Sequence, residues 1–272
     1  MKILITGSNG FIGRNLASAL TDYEVTKLTR QVVDLTDKIA VDEYFKDKKF
    51  DVILHCAMVG GRRSIKDGPE VLWANLAMFY NLISNQHKFG KLINFGSGAE
   101  LDRSDSINLI DPLYKDKYPL DYYGMAKNII CRLIENQDKC FNIRLFNIFG
   151  TDEESARFIK SNIQRYIDKE TIIIHQDKLM DFFYIDDLIT LVKFYLNKSY
   201  ILEEINAVYK DKYHLSEIVA IINNLSDYKV DIVINQEGFS KCYIGKSTRL
   251  EIIPTQFKGL EQGIREIYNK LK

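Results

Sequence analysis

The sequence predicts a doubly wound α/β fold, a parallel sheet with helices on both faces, followed by a smaller mixed C-terminal lobe. Three observations predict it. Short apolar runs rich in β-branched residues alternate with helical patterns through the first half of the chain, which implies βαβ units. A length of 272 residues with 46% hydrophobic content allows a sizeable buried core. No repeat or low-complexity linker interrupts the chain, so the second lobe is expected to pack directly on the first, with the chain crossing between them.

The elements follow in order. KILIT (2–6) reads as a strand, residues 11–20 as a helix, EVTKLT (24–29) as a second strand and residues 39–45 as a second helix. DVILHCA (51–57) is a third strand, a long helix runs through Trp73 to Gln86, and KLINFG (91–96) is a fourth strand. The polar stretch from Leu101 to Leu120, with Pro112 and Pro119, reads as a loop. A helix over 122–136 then feeds the strand FNIRLFNIFG (141–150). Beyond it the pattern gives a helix near 156–166, the short strand TIIIH, LMDFFYIDDL leading into a helix, and a closing helix after Gln256.

Charge and cysteine content narrow the partners. Lys plus Arg and Asp plus Glu both total 37, so nothing in the balance favours a nucleic acid or an anionic membrane. Any anion must be held by a local site. Cys56, Cys131, Cys140 and Cys242 form no CxxC pair and read as packed, reduced thiols. His55, His87, His175 and His214 are scattered without ligand spacing, and no metal is expected. With a strand pattern directly after Met1 and no apolar run near the ~20 residues of a membrane helix, a soluble cytoplasmic protein is expected.

KILITGSNGFIGRNLASAL places Gly7, Gly10 and Gly13 between the first strand and the first helix, where a pyrophosphate approaches backbone N–H groups and a helix N-terminus. Gly7, Asn9, Gly10, Phe11, Ile12 and Gly13 are therefore candidate dinucleotide-binding residues. The second strand ends KLTRQ, with Arg30 and no acid. An acid there would bond the adenosine ribose, whereas a cation favours a 2′-phosphate, so NADP is expected ahead of NAD. Asp34 and Leu35 stand where adenine would be contacted, although Asp34 would serve equally as a helix cap.

In DYYGMAKNII, Tyr123 and Lys127 are four apart on one helix and share a face, while Tyr122 lies on another. An ammonium near a phenol stabilises the phenolate and is expected to lower its pKa from ~10 toward the working range. Ser97 directly follows the fourth strand, at the carboxyl end of the sheet, where ligands bind in open α/β folds. Ser97, Tyr123 and Lys127 are the candidate catalytic residues.

Together these features resemble the extended short-chain dehydrogenase/reductase superfamily, in its NAD-dependent epimerase/dehydratase (nucleotide-sugar) group. The likeness covers nearly the whole chain: the glycine turn, HCAMVGG (55–61), Asn75, Gly96 and Ser97, YGMAK, RLFNIFG (144–150), and MDFFYIDD (180–187), which is similar to the group's RDFxxVDD. AMVGG and FGSGAE are most like the GDP-fucose synthase-like reductases. The resemblance implies a Rossmann-type dinucleotide-binding domain over 1–150 and a mainly substrate-binding lobe over 151–272, some segments returning to the first domain. It adds Cys56, Ala57, Met58 and Leu145 to the cofactor-binding residues. It gives Gly60, Ser97, Gly98, Ala99, Tyr123, Asn147 and Arg157 as substrate-binding residues, with Arg62 and Arg63 as further cations for a diphosphate.

The reaction implied is NADP(H)-dependent reduction of a 4-keto nucleotide-sugar. The epimerising cysteine of GDP-fucose synthases falls at Ala99 and its partner histidine near Arg157, so no 3,5-epimerisation is expected. Dehydratases of the group carry a Thr-Asp-Glu run, whereas here Ser97 is followed by Gly98, Ala99 and Glu100, so the acid pair is missing or displaced and a dehydratase is not expected; Met180 replaces the Arg of RDF, and Gly245 stands where an Asp is common. The rivals are a NAD-dependent 4-epimerase and, in another class, a non-catalytic dinucleotide-binding regulatory subunit. The resemblance also implies a homodimer through the helices near 70–87 and 121–136, with Trp73, Phe79 and Tyr80 either in that interface or in the monomer core.

Overall fold

The computed structural model describes residues 1–61, 65–110, 117–198 and 202–272, so the candidates Arg62 and Arg63 lie outside the described residues. The chain forms two compact units. The first comprises Met1–Ser104, Leu113–Arg144 and Leu196–Ile205, and the second Asp105–Pro112, Leu145–Tyr195 and Asn206–Lys272.

In chain order the elements are β1 (Lys2–Thr6), α1 (Phe11–Ala19), β2 (Glu24–Leu28), α2 (Lys38–Phe45), β3 (Phe50–His55), α3 (Pro69–Ile83), β4 (Phe89–Ser97), β5 (Ile107–Ile110) and α4 (Tyr122–Ile134). There follow β6 (Cys140–Leu145), β7 (Ile148–Phe149), α5 (Phe158–Ile167), β8 (Ile172–Asp177), β9 (Phe183–Tyr184), α6 (Ile185–Asn197) and β10 (Glu204–Ala207). The chain ends with α7 (Leu215–Asn223), β11 (Ile232–Phe239), β12 (Tyr243–Gly245), α8 (Thr248–Glu251) and α9 (Leu260–Leu271).

A six-stranded sheet of order β10-β6-β4-β3-β1-β2 organises the first unit, and its β2–β1, β1–β3 and β3–β4 pairings are parallel. This is the doubly wound, Rossmann-type sheet that the alternating pattern predicts. Its core joins Leu4, Leu28, Ile53 and Leu92 of the strands to Val41 and Phe45 of α2, Phe79 and Leu82 of α3, and Ile130 and Ile134 of α4. Each such side chain contributes about 1.5–3 kcal/mol by leaving water. The order also fixes where a ligand can enter. From β1 the chain runs to β2 on one side and to β3 on the other, which opens a crevice beyond their carboxyl ends.

Local chemistry sets the helix starts. The Asp37 side chain accepts from Ile39 N and Ala40 N ahead of α2, and that of Asp121 accepts from Gly124 N ahead of α4. α3 begins at Pro69, since proline with its missing N–H suits a first helical position, and it ends at Ile83, short of the expected Gln86.

The differences from expectation lie in and around the second unit. The strand predicted over 141–150 is two: β6 ends at Leu145, and β7 pairs in parallel with β9 in the second unit. The polar stretch read as a loop contains β5, which pairs with β12 more than 130 residues later, so no local pattern marks it. α7 does carry a helical pattern, with Leu215, Ile218, Val219 and Ile222 buried and Glu217 accepting from His214 N at 2.7 Å. No helix among the described residues is long and apolar enough to cross a membrane.

Candidate active site

The glycine-rich turn lies at the carboxyl end of β1 and packs against the end of β3. Gly7 has φ +61°, and a Cβ there would come within 2.6 Å of the Ala57 backbone. A Cβ at Gly13 would come within 2.5 Å of the Gly7 carbonyl oxygen. Only hydrogen at these two positions permits so tight a turn. Gly10 is the N-cap of α1 and gives it no side-chain cap, so the helix presents its amide end to the crevice. Asn9 and Gly10 are exposed, and Phe11 and Ile12 half-buried. This cradle fits a dinucleotide pyrophosphate.

The ends of β1 and β3 are tied by Thr6, whose Oγ1 lies 2.9 Å from His55 Nδ1 and accepts from Ala57 N at 3.1 Å. Burial, with the Lys127 charge, pushes His55 down to about 3, so its imidazole is neutral at physiological pH. Burial raises the Cys56 thiol. Asn75 holds the following segment, accepting from Val59 N and donating to Val59 O and Val71 O. Gly60, at φ +81°, has no room for a Cβ beside Val71 and Asp67. Arg30 and Asp34 bond each other, Nε to Oδ2 at 3.1 Å, on the exposed rim. The Leu35 side chain lies in the core cluster.

The structure brings Ser97, Tyr123 and Lys127 together within the first unit. Ser97 closes β4, where its Oγ accepts from Ala99 N at 3.1 Å, and Gly98 and Ala99 are buried in the turn behind it. Tyr123 and Lys127 occupy the buried face of α4 with Ala126, Ile130 and Ile134, whereas Tyr122 is exposed. The Tyr123 hydroxyl donates to Met58 Sδ at 3.9 Å, and Ser97 is among the groups that act on it. The Tyr123 ring covers Gly61, where a Cβ would lie 3.0 Å from it. Lys127 Nζ donates to Phe95 O at 2.7 Å and stands 6.0 Å from the Tyr123 ring centroid.

The electrostatics correct one expectation. Instead of being lowered by Lys127, the Tyr123 phenol is pushed up to about 12. Burial is the largest cause, Glu100 and Asp121 add to it, and the Ser97 hydrogen bond and the Arg103 charge oppose it. Lys127 is itself lowered to about 8 by burial, against the charges of Glu100 and Cys56.

Behind Ser97 lies a buried charge cluster that reading by motif passes over. Arg144 and Glu100 are each 1% exposed, with Arg144 Nε 2.7 Å from Glu100 Oε2 and NH2 3.4 Å from Glu204 Oε2. Glu100 Oε1 accepts from Ser97 N at 2.9 Å and from Asn142 Nδ2 at 3.2 Å. Both residues stand inside quoted motifs, FGSGAE and RLFNIFG, but their meeting across 44 positions leaves no local trace.

In the second unit, the side-chain amide of Asn147 donates to Asp181 O at 2.8 Å and the Asn147 backbone carbonyl accepts from Phe183 N. Leu145 is buried there, and Arg157, at the start of α5, is exposed with Nε 3.9 Å from Glu153 Oε2. Burial raises Glu153 to about 7, and no motif in the sequence singles this group out.

Residues 3–207 match the NAD dependent epimerase/dehydratase family. The chain belongs to that family. It is 25% identical over 265 residues to the GDP-L-colitose synthase of Yersinia pseudotuberculosis, covering 87% of this chain and 85% of that one. A Campylobacter jejuni GDP-D-glycero-L-gluco-heptose synthase, solved in the presence of NADPH, superposes with a TM-score of 0.84 at 19% identity over 100% of this chain and 98% of the other. The UDP-glucose 4-epimerase of Thermotoga maritima, solved with UDP-glucose, gives the same TM-score at 17% identity and the same coverage.

The named relative and the two named structures are enzymes of nucleotide-linked sugars. On α3, Trp73 and Tyr80 are exposed, at 67% and 46%, while Phe79 is wholly buried in the core cluster. Of the three aromatics weighed for an interface, Phe79 is a core residue.

Proposed function

We propose that this enzyme reduces the 4-keto group of a nucleotide-sugar with NADPH, without 3,5-epimerisation. The observation that carries the reading is a protonated phenol held at the carboxyl end of the sheet. Burial pushes Tyr123 up to about 12, so beside Ser97 and at neutral pH it has a proton to give. Carbonyl reduction consumes that proton, whereas alcohol oxidation would need the phenolate.

The glycine cradle, with Arg30 at its rim, would hold the dinucleotide, which when bound supplies the hydride for the keto carbon. The chain does the rest. Ser97 orients the carbonyl oxygen, Tyr123 delivers its proton as negative charge builds on that oxygen, and Lys127 holds the ribose hydroxyls and restores the local charge. Asn147 and Arg157 are the second unit's candidates for the substrate diphosphate. A homodimer through α3 and α4, with Trp73 and Tyr80 at its contact, belongs to the same reading.

The test follows NADPH absorbance with purified protein and 4-keto-6-deoxy sugars linked to GDP, dTDP, UDP or CDP. Oxidation with one of them, reduced roughly 10²–10⁴-fold by Tyr123→Phe, is the expected result. No oxidation of NADPH, with NAD retained through purification, would replace this reading by the 4-epimerase.

A further inference from the structure

We propose that Glu100 is a positioning residue whose carboxylate, clamped by Arg144, fixes the Ser97 end of β4 against the helix that carries Tyr123. The inference rests on the reductase reading for its consequence in turnover, but its geometry stands within the first unit alone.

Four residues, Ser97, Arg144, Asn142 and Asn128, hold Glu100 in the clamp. Glu100 Oε1 accepts from Ser97 N at 2.9 Å while Ser97 Oγ accepts from Ala99 N, so the backbone on either side of the serine is bonded into one short turn. Arg144 Nε donates to Glu100 Oε2 at 2.7 Å. Asn142 Nδ2 bridges both carboxylate oxygens at 3.2 and 3.3 Å. Asn128, one residue beyond Lys127 on α4, donates its Nδ2 to the Glu100 carbonyl at 2.7 Å, tying that turn to the helix that carries Tyr123. Gly96 makes the space, since a Cβ there would collide with Glu100 Oε1.

A carboxylate so placed acts on the phenol by charge. Tyr123 faces Glu100 and Arg103 from the chain after β4, Asp121 and Lys127 from its own helix and cap, and the Ser97 hydroxyl. Lys127 faces Glu100 and Cys56. Arg144 faces Glu100, Glu204 and Cys131. Glu100 raises the proton affinity of both Tyr123 and Lys127, which favours the protonated state that carbonyl reduction needs.

The test labels the full chain with 3-fluorotyrosine and follows ¹⁹F NMR shifts against pH, the Tyr123 resonance being the one lost in Tyr123→Phe. Glu100→Gln is expected to lower the Tyr123 midpoint by on the order of 0.5 pH unit. Glu100→Asp, which keeps the charge, is expected to keep the wild-type midpoint. The double variant E100Q/R144Q, with no buried cation left over, is expected to keep the lowered one. An unchanged midpoint in folded Glu100→Gln would overturn the proposal, as would a return to wild type in the double variant. Failure of both to fold would reduce Glu100 to a structural role. In turnover, the limb of the kcat/KM profile that reports Tyr123 is expected to move with the midpoint. A wild type that reduces no keto sugar would defeat the reductase reading while leaving the NMR result to decide this one.

Discussion

In the first unit the Arg144 guanidinium spans two carboxylates, Glu100 and Glu204, with the three side chains 1–2% exposed and Asn142 completing the hydrogen bonds. In the second, the Lys212 ammonium meets one carboxylate, Asp181, at 2.8 Å, with a further acceptor in Tyr209 O and one backbone donor, Gly245 N, on the acid. Burial acts on both and ends differently. Asp181 is raised to about 6 and Lys212 is lowered, desolvation outweighing the attraction in each. Arg144 moves the other way, because the surrounding acids outweigh its burial. A planar fork with a carboxylate at each side remains charged at every pH the protein meets, whereas the lysine pair is able to neutralise. The first cluster is a fixed support and the second a titrating one.

The contrast is broken most directly at Arg144. Arg144→Met strands two buried carboxylates and is expected to cost about 3–5 kcal/mol in urea unfolding followed by circular dichroism. A loss below about 1 kcal/mol would make the two clusters equivalent. Lys212→Met is expected to cost less, about 1–2 kcal/mol at pH 7, because protonation relieves the abandoned Asp181.

The pH dependence sharpens the difference. The folded value of Asp181 lies above its ordinary 3.8, so the folded protein holds that proton more firmly than the unfolded chain. Its contribution to stability is fully present below about pH 4 and is lost as pH rises through about 6. Compared with Asp181→Asn, the wild type is expected to lose relative stability between pH 4 and 6 and to run parallel above 7. Parallel curves throughout would show that Asp181 does not titrate there.

The smallest effect is expected at the exposed Arg30–Asp34 pair. Arg30→Ala should change stability by less than about 1 kcal/mol, since water screens such pairs. Its readout is instead the cofactor: NADPH affinity is expected to fall about tenfold against an unchanged NADH affinity, measured by fluorescence titration. Equal losses for both would remove Arg30 from the choice between them.

Legibility followed distance along the chain. The glycine turn was readable because its three glycines and the helix they precede are contiguous, and the Tyr123–Lys127 pair because one helical turn sets it. β5 was not, because four residues with a partner beyond position 240 carry no period of their own. The break between β6 and β7 was hidden for a related reason: the apolar run continues through it, and only the pairing of β7 with β9 shows that the chain has left the large sheet. Glu100 read merely as a displaced acid until Arg144, 44 residues on, gave it a partner.

By itself the sequence determined the parallel sheet, the dinucleotide turn at the end of β1, and the placing of Ser97, Tyr123 and Lys127 around one sheet end, since alternation, glycine spacing and helical period are local properties. The tertiary structure decided the protonation of that centre. Spacing alone puts an ammonium beside the phenol and lowers its pKa. In the fold, Lys127 Nζ turns to the Phe95 carbonyl, water is excluded from Tyr123, and Glu100 lies close enough to act on it. Desolvation and charge depend on every group gathered around an atom, and those groups come from distant parts of the chain.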